Sequence, residues 1–424
     1  MSMGSIGGTT IAVGAAEVRH LPFFLVLHVP ARREAGEVQQ STMMRVGILG
    51  TADIAKKNVR AIHLSQYTKC VAIAGRDPQK LQRWMEETRP WLIDDVRACT
   101  YDELINDDNI DIVYIPLPTT TQKEWVIKAA RAKKHILLEK PVAISATVFE
   151  EMLTICTDCG VHLMDGTMFM HERRYEALAS LLSPSDVPII GKPERVVSSF
   201  SFNADTNFKE TNIRVNPECD PLGALGDLGW YSIRLGLVVF GWNRPRSARA
   251  HLLRSTNGVP TELEATITFD IDDKNSTSHC ILSIFCSFHR AFQQRFEIFT
   301  NTDRIISCDD FVLPYSERSP GPMILRTSKG PLHYATVMDV RDEELKACDS
   351  GGCQEARMWD SFAQLITASS RKEKFQWSPI AGGLAPEVVA LRTQAVIDLV
   401  LSAISSEGGQ EVSFSSSSGG FNAW

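Results

Sequence analysis

From Met44 onward, short apolar runs alternate with longer stretches in which apolar residues recur every three or four positions. Arg45 to Leu49 reads as a strand. Ala52 to Leu64 reads as a helix, with Ile54, Ala55, Val59 and Ile62 inward and Lys56, Lys57 and Arg60 outward. Lys69 to Ala74 is a second strand, followed by a helix from about Pro78. Ile110 to Ile115 is almost continuously apolar, as a strand covered on both faces must be. A helix from about Gln122 to Lys133, the strand His135 to Leu138, a helical stretch around Phe149, Met152 and Cys156, and the strand Val161 to Met164 complete the series. Strand–helix repetition of this kind predicts an α/β unit with a parallel, doubly wound sheet.

Beyond Gly166 the rhythm changes. Helical periodicity persists at Tyr175 to Leu182, Leu228 to Phe240, Glu355 to Ala368 and Glu387 to Ala403. Between them lie long strand patterns at Glu194–Phe202, Ala248–Leu253, Glu262–Asp270, His279–Phe288 and Gln294–Thr300. Strands in succession predict an α+β domain with a large antiparallel sheet, its helices on one face and the other face open. The expected division is an extension at 1–43, a dinucleotide-binding domain at 44–166, a substrate domain at 167–404 and a flexible Ser/Gly-rich tail at 405–424. The apolar stretch Leu21 to Val29 is broken by Pro22 and His28 and is too short to cross a bilayer. The extension reads as unstructured chain, with a plastid transit peptide as the alternative.

A net charge of −7 argues against a general nucleic-acid binder, which needs a basic surface. Ten cysteines scattered over 424 residues make no disulfide framework. Cys156 and Cys159 form a lone C-x-x-C inside a helix, without a second pair or a histidine at ligand spacing, so no metal is expected. A reducing, cytoplasmic setting is the simpler expectation.

The candidate chemistry clusters where strands end. Gly50-Thr51-Ala52-Asp53-Ile54-Ala55 joins the first strand to the first helix. A turn of small residues lets the backbone approach a pyrophosphate, which meets the helix's free amides. The second strand ends in Ala74-Gly75-Arg76 with no acid at its tip. An arginine there suits a ribose 2′-phosphate and favours NADP over NAD; the bland alternative is a solvated turn residue, partly neutralised by Asp77. Ile115-Pro116-Leu117-Pro118-Thr119-Thr120 holds an open loop at the next switch between strand and helix, and His135 to Leu138 delivers Glu139-Lys140-Pro141 to the same crevice. Glu139 and Lys140 stand as cofactor-side groups or as a surface ion pair. Asp227 and Tyr231 lie four residues apart, on one helix face, either holding a sugar-like substrate or serving as a first-turn charge and a packing residue.

Taken together these motifs resemble the glucose-fructose oxidoreductase, inositol dehydrogenase and rhizopine-catabolism (Gfo/Idh/MocA) family over roughly residues 44–414. Within it the chain is most similar to uncharacterised plant oxidoreductases and to the dihydrodiol and D-xylose dehydrogenase branch. The resemblance implies a Rossmann domain that binds NAD(P), a catalytic Lys140, a catalytic Tyr231 whose pKa Lys140 lowers, and Asp227 orienting a substrate hydroxyl. It implies hydride exchange between NADP and the CH–OH of a sugar, cyclic diol or related carbonyl compound. Gln122, where relatives often carry histidine, and Arg214 are candidate substrate contacts. A homodimer is expected, with no membrane or nucleic-acid partner. The alternative is a catalytically silent dinucleotide sensor on the same fold, which has no reason to keep Lys140, Asp227 and Tyr231 together.

Overall fold

A computed structural model describes residues 43–92, 95–182, 190–270, 279–317, 320–329, 339–345, 353–406, 410–414 and 424. The extension expected at 1–43 lies outside them except for Met43. The first sheet consists of β1 (Met44–Leu49), β2 (Thr68–Ala74), β3 (Arg97–Cys99), β4 (Ile112–Ile115), β5 (His135–Leu138) and β6 (Leu163–Asp165). Its order is β3-β2-β1-β4-β5-β6 with every pair parallel, the doubly wound arrangement. The connecting helices are α1 (Asp53–Leu64), α2 (Pro78–Thr88), α3 (Tyr101–Ile105), α4 (Thr119–Arg131) and α5 (Ala146–Cys159). Strand order reverses between β1 and β4, so a crevice opens at their carboxyl ends, where ligands bind in such sheets.

The second half carries α6 (Arg174–Leu182), β7 (Pro193–Asn203), α7 (Thr206–Thr211), α8 (Trp230–Val239), β8 (Pro245–Thr256), β9 (Val259–Asp270), β10 (His279–Ser287), β11 (His289–Thr300), β12 (Arg304–Cys308), β13 (Met323–Lys329) and β14 (Asp339–Leu345), then α9 (Gln354–Ser370), α10 (Pro386–Ser405) and β15 (Val412–Ser413). The nine strands run β14-β13-β12-β11-β7-β10-β9-β8-β15. One pair departs from the antiparallel expectation: β7 and β10 are parallel. β10 forms a hairpin with β9, and β11 returns along the far side of β7, so β10 is left running the same way as β7. Residues 412–413 also depart from the flexible tail expected there, since they pair with the β8 edge, and Phe414 N–H donates to the Arg246 carbonyl at 2.8 Å. Positions 407–409 and 415–423 lie outside the described residues.

Two readings of α1 change. Ile54 is not inward but 39% exposed, because it stands at the helix start beside the open crevice. Lys57 and Arg60 do point away from the first sheet, yet α9 and the loop between β12 and β13 cover them. Lys57 Nζ lies 2.6 Å from Glu355, and the Arg60 guanidinium donates to both oxygens of Glu317 at 2.8 Å. α10 is long and apolar enough to cross a bilayer by length and composition. It is instead a core helix that packs on α5 and β6 of the first sheet and on α8 and β8 of the second. The nine cysteines among the described residues are free thiols.

Candidate active site

The β1–α1 turn is shaped for close approach. Gly50 has φ +117°, and a Cβ there would stand 3.0 Å from Leu117 Cδ2 and 3.2 Å from the Tyr101 hydroxyl. No side chain caps the start of α1 at Ala52, so its first-turn amides stay available to an anion. Trp84 of α2 pins the turn by donating its indole N–H to the Ala52 carbonyl at 3.4 Å. Thr51 and Ala52 are half-buried, while Asp53 is turned out to Lys56. Arg76 is exposed at the tip of β2. Asp77 does not neutralise it: its carboxylate accepts the Gln79 and Lys80 amides at the start of α2. The observed turn, its free helix start and this arginine fit a dinucleotide that carries a 2′-phosphate.

Glu139 and Lys140 are both buried, and neither forms a surface ion pair. The Glu139 carboxylate accepts the Tyr114 hydroxyl at 2.5 Å; that hydroxyl accepts from Asn58 Nδ2, whose Oδ1 accepts the Trp359 indole N–H. This chain ties β5 through β4 and α1 to α9. Burial pushes Glu139 above its ordinary pKa, against the lowering pull of the Tyr114 hydrogen bond and Lys140. Lys140 turns the other way, across the crevice. Its Nζ donates to Asp227 Oδ1 at 2.7 Å and to the Asp227 backbone carbonyl at 3.0 Å, and it sits 4.8 Å from the centroid of the Tyr231 ring.

Asp227 occupies a single π-helical turn, Leu225–Gly229, that opens directly into α8. π turns of this kind recur at functional sites because they displace one side chain from the regular helical path. Gly226 permits the approach, since a Cβ there would meet Leu222 at 2.5 Å and Pro141 at 3.1 Å. Asp227 caps nothing. Its carboxylate lies between Lys140 and Arg214, whose NH2 is 3.3 Å away, and these two cations hold its pKa below the usual range despite burial.

The expectation for Tyr231 needs correcting. Its pKa is raised well above the ordinary tyrosine value, first by burial and then by Glu139 and Asp227. The Lys140 ammonium lies over the ring, 4.8 Å from its centroid. The phenol donates instead to Met168 Sδ at 3.5 Å, with the ring packed between Phe169 and Phe200.

Two further candidates are engaged by protein partners. Gln122 is 1% exposed and ties two loops by donating from Nε2 to the carbonyls of Glu139 (3.0 Å) and Leu117 (3.3 Å). Arg214 is spent on carboxylates: NH1 donates to Asp220 Oδ2 at 2.5 Å while NH2 faces Asp227. Sequence reasoning missed Asp220, which is fully buried and also accepts the Thr119 hydroxyl at 3.3 Å. Thr119 thus points to Asp220, and half-buried Leu117 and Pro118 remain to line the cofactor side of the crevice.

Behind the site, Arg234 is wholly buried. It pairs with Asp165 (NH2 to Oδ2, 3.1 Å) and donates from Nε to Thr393 Oγ1 at 2.6 Å. Thr167 bonds to Asp165 and accepts the Trp230 indole N–H at 2.8 Å. This network fastens the end of β6 to α8 and α10.

Two domain signatures match the chain in tandem: residues 44–167 match "Oxidoreductase family, NAD-binding Rossmann fold", and residues 188–306 match the GFO/IDH/MocA C-terminal domain. The chain belongs to the GFO/IDH/MocA oxidoreductase family. Among its members, the dTDP-3,4-didehydro-2,6-dideoxy-α-D-glucose 3-reductase of Actinomadura kijaniata is 31% identical over 47% of this chain. The match spans 56% of that relative's length. D-xylose 1-dehydrogenase (NADP(+)) 2 of Haloferax volcanii is 29% identical over 72% of this chain and 85% of its own. The fold is shared with the crystal structure of a 3-ketoreductase from A. kijaniata in complex with NADP and TDP-benzene (TM-score 0.66, 23% identity, 85% of this chain and 97% of that one). It is shared too with aldose-aldose oxidoreductase from Caulobacter crescentus (TM-score 0.68, 18% identity, covering 88% and 99%).

Proposed function

We propose that this GFO/IDH/MocA protein is an NADP-dependent oxidoreductase exchanging hydride with the CH–OH group of a sugar, cyclic diol or related small carbonyl compound. The observation that carries the reading is the Lys140–Asp227 pair set across the crevice at the carboxyl end of β5. A nicotinamide dinucleotide, when bound, supplies or takes the hydride. Gly50, Thr51, Ala52, Asp53 and Ile54 would cradle its pyrophosphate, Arg76 its 2′-phosphate, and Leu117 and Pro118 with Glu139 and Lys140 its nicotinamide half. Related enzymes named as acting on sugars or diols support the substrate class.

The chain's own contribution is proton handling. A lysine ammonium has three donors. Two reach Asp227, which leaves one for a substrate oxygen. Asp227, kept anionic by Lys140 and Arg214, orients that ammonium and accepts a neighbouring substrate hydroxyl. Tyr231 stays protonated at working pH and acts through its ring, holding Lys140 against the negative face of its π-system. The test is to follow absorbance of NADPH and NADP with purified protein while offering sugars, cyclic diols and small aldehydes. Tight dinucleotide binding with no turnover of any of these would favour the sensor reading.

Cofactor choice is checked separately. Arg76→Ala should weaken NADP binding by about 10- to 100-fold and leave NAD binding almost unchanged, the range for a lost charge-assisted hydrogen bond. Equal wild-type affinities for NAD and NADP would refute the assignment.

We also propose a homodimer formed through the open face of the large sheet. Val197, Ile281, Phe285, Phe299 and Ile305 are half-buried and alternate with buried neighbours, so they line the face away from α8. They share this face with Arg195, Ser199, Ser283 and Glu297, a mixed apolar and polar surface that a second copy would cover. Sedimentation at micromolar concentration should give twice the chain mass, and a lone monomer would sink the proposal.

A further inference from the structure

Asp220 reaches the Lys140–Asp227 pair through Arg214, and local backbone chemistry sets its aim. Asn216 opens a turn in which its carbonyl accepts the amides of Cys219 (3.0 Å) and Asp220 (2.8 Å), and Pro221 then fixes the exit of the chain. Within that turn Asp220 Oδ1 accepts the Leu222 amide and the Thr119 hydroxyl, each at 3.3 Å. With Oδ1 engaged, Oδ2 faces Arg214, whose NH1 donates to it at 2.5 Å. The turn is itself docked on the start of α4. The Cys219 carbonyl accepts the Thr120 amide at 3.2 Å, and the Glu218 carbonyl accepts the Thr120 hydroxyl at 2.6 Å.

This geometry divides the arginine. NH1 is held by Asp220, so NH2 alone turns to Asp227 and lies 3.3 Å from its Oδ1. The same oxygen accepts the Lys140 ammonium at the shorter distance of 2.7 Å. Among the described residues no hydrogen bond reaches Asp227 Oδ2, which is left for a substrate hydroxyl. A guanidinium is a planar fork that matches both oxygens of a carboxylate and closes on them when nothing else holds it. Freed from Asp220, Arg214 would close on Asp227, take the second oxygen and draw the charge away from Lys140. Stability gives no reason for the arrangement. Asp220 is fully buried, and the attraction of such a carboxylate to an arginine does little more than offset its desolvation.

We propose that Asp220 is a positioning residue, which occupies one arm of Arg214 so that Asp227 stays bonded to Lys140 and keeps an oxygen open to substrate. The part given to Lys140 and Asp227 rests on the oxidoreductase reading. The hold of Asp220 on their pairing is visible without dinucleotide or substrate, so the two ideas fail separately.

The test is acylation of Lys140 by acetic anhydride in the full chain at mildly alkaline pH, measured by peptide mass spectrometry against exposed Lys372. An ammonium bonded to its carboxylate resists the reagent, because only the uncharged amine is a nucleophile. Asp220→Asn keeps the shape and an acceptor for NH1 but removes the charge. It should speed Lys140 labelling relative to Lys372 by about fivefold or more, as expected when a charge-assisted hydrogen bond is lost. Adding Arg214→Met removes the guanidinium that would capture Asp227, and should return the rate to within about twofold of wild type. Mere loosening of the loop would leave labelling fast in both variants; that result overturns the proposal, as does an unchanged rate in Asp220→Asn. Thr119→Val takes one of the two bonds from Asp220 Oδ1 and should raise the rate about twofold, which decides the matter if the Asn variant does not fold. No rise in Thr119→Val would then overturn the hold of Asp220 on the pair.

Discussion

Replacing Lys140 with methionine should lower turnover by about 100-fold or more, the size of a lost general acid–base group, while NADP affinity falls far less. Methionine retains much of the side-chain length but leaves Asp227 paired with Arg214 alone. The substrate oxygen then faces no ammonium, and the hydride step proceeds without proton compensation. Tyr231→Phe should behave quite differently. Its ring, which faces the ammonium, is kept, and the lost hydroxyl bonds only to a thioether. Turnover should fall by less than about tenfold, whereas Tyr231→Ala, which removes the ring, should approach the Lys140→Met loss. Steady-state rates with saturating NADP check the series. A Tyr231→Phe variant as inactive as Lys140→Met would return the proton to the phenol and discard the assignment made here.

The second large effect should be on stability. Arg234→Met should cost about 3–5 kcal/mol, the range for removing one partner of a buried ion pair. Asp165 is only 2% exposed and would lose its guanidinium partner, with Thr167 as its remaining side-chain partner. Adding Asp165→Asn removes the stranded charge and should recover part of the loss. Urea unfolding followed by circular dichroism reads both values, provided the transition is two-state. A double variant less stable than the single one would show that the charge itself is not what destabilises Arg234→Met.

The parallel sheet was legible because both faces of its strands are covered: Ile112, Val113, Tyr114 and Ile115 are completely buried, and such runs stand out in any window. β3 was not, since Arg97 and Ala98 are exposed and only three residues pair. With β3 unseen, the turn after it, and Tyr101 on that turn, could not be placed at the crevice. Lys140 and Asp227 were found by motif, but nothing in their spacing of 87 residues says that they bond. Asp220 and Tyr114 escaped notice because a buried polar side chain is recognisable only from its partners. Gln122 illustrates the converse. It sits where a substrate contact was sought, and its amide instead bridges two backbone carbonyls. The direction of the Tyr231 shift was missed for a related reason, since it is set first by how deeply the fold buries the phenol.

The position of α10 bears on how this chain is made. In sequence, the nucleotide-binding strands are complete once β6 has been synthesised. In space they are not: Asp398 of α10 accepts the Ala146 amide at 2.7 Å at the start of α5, and the helix also packs along β6. A ribosome must add more than 200 further residues before that surface is covered. Until then the flank of α5 and β6 lacks the cover that α10 gives it, and exposed apolar surface of that kind favours aggregation of a half-made chain.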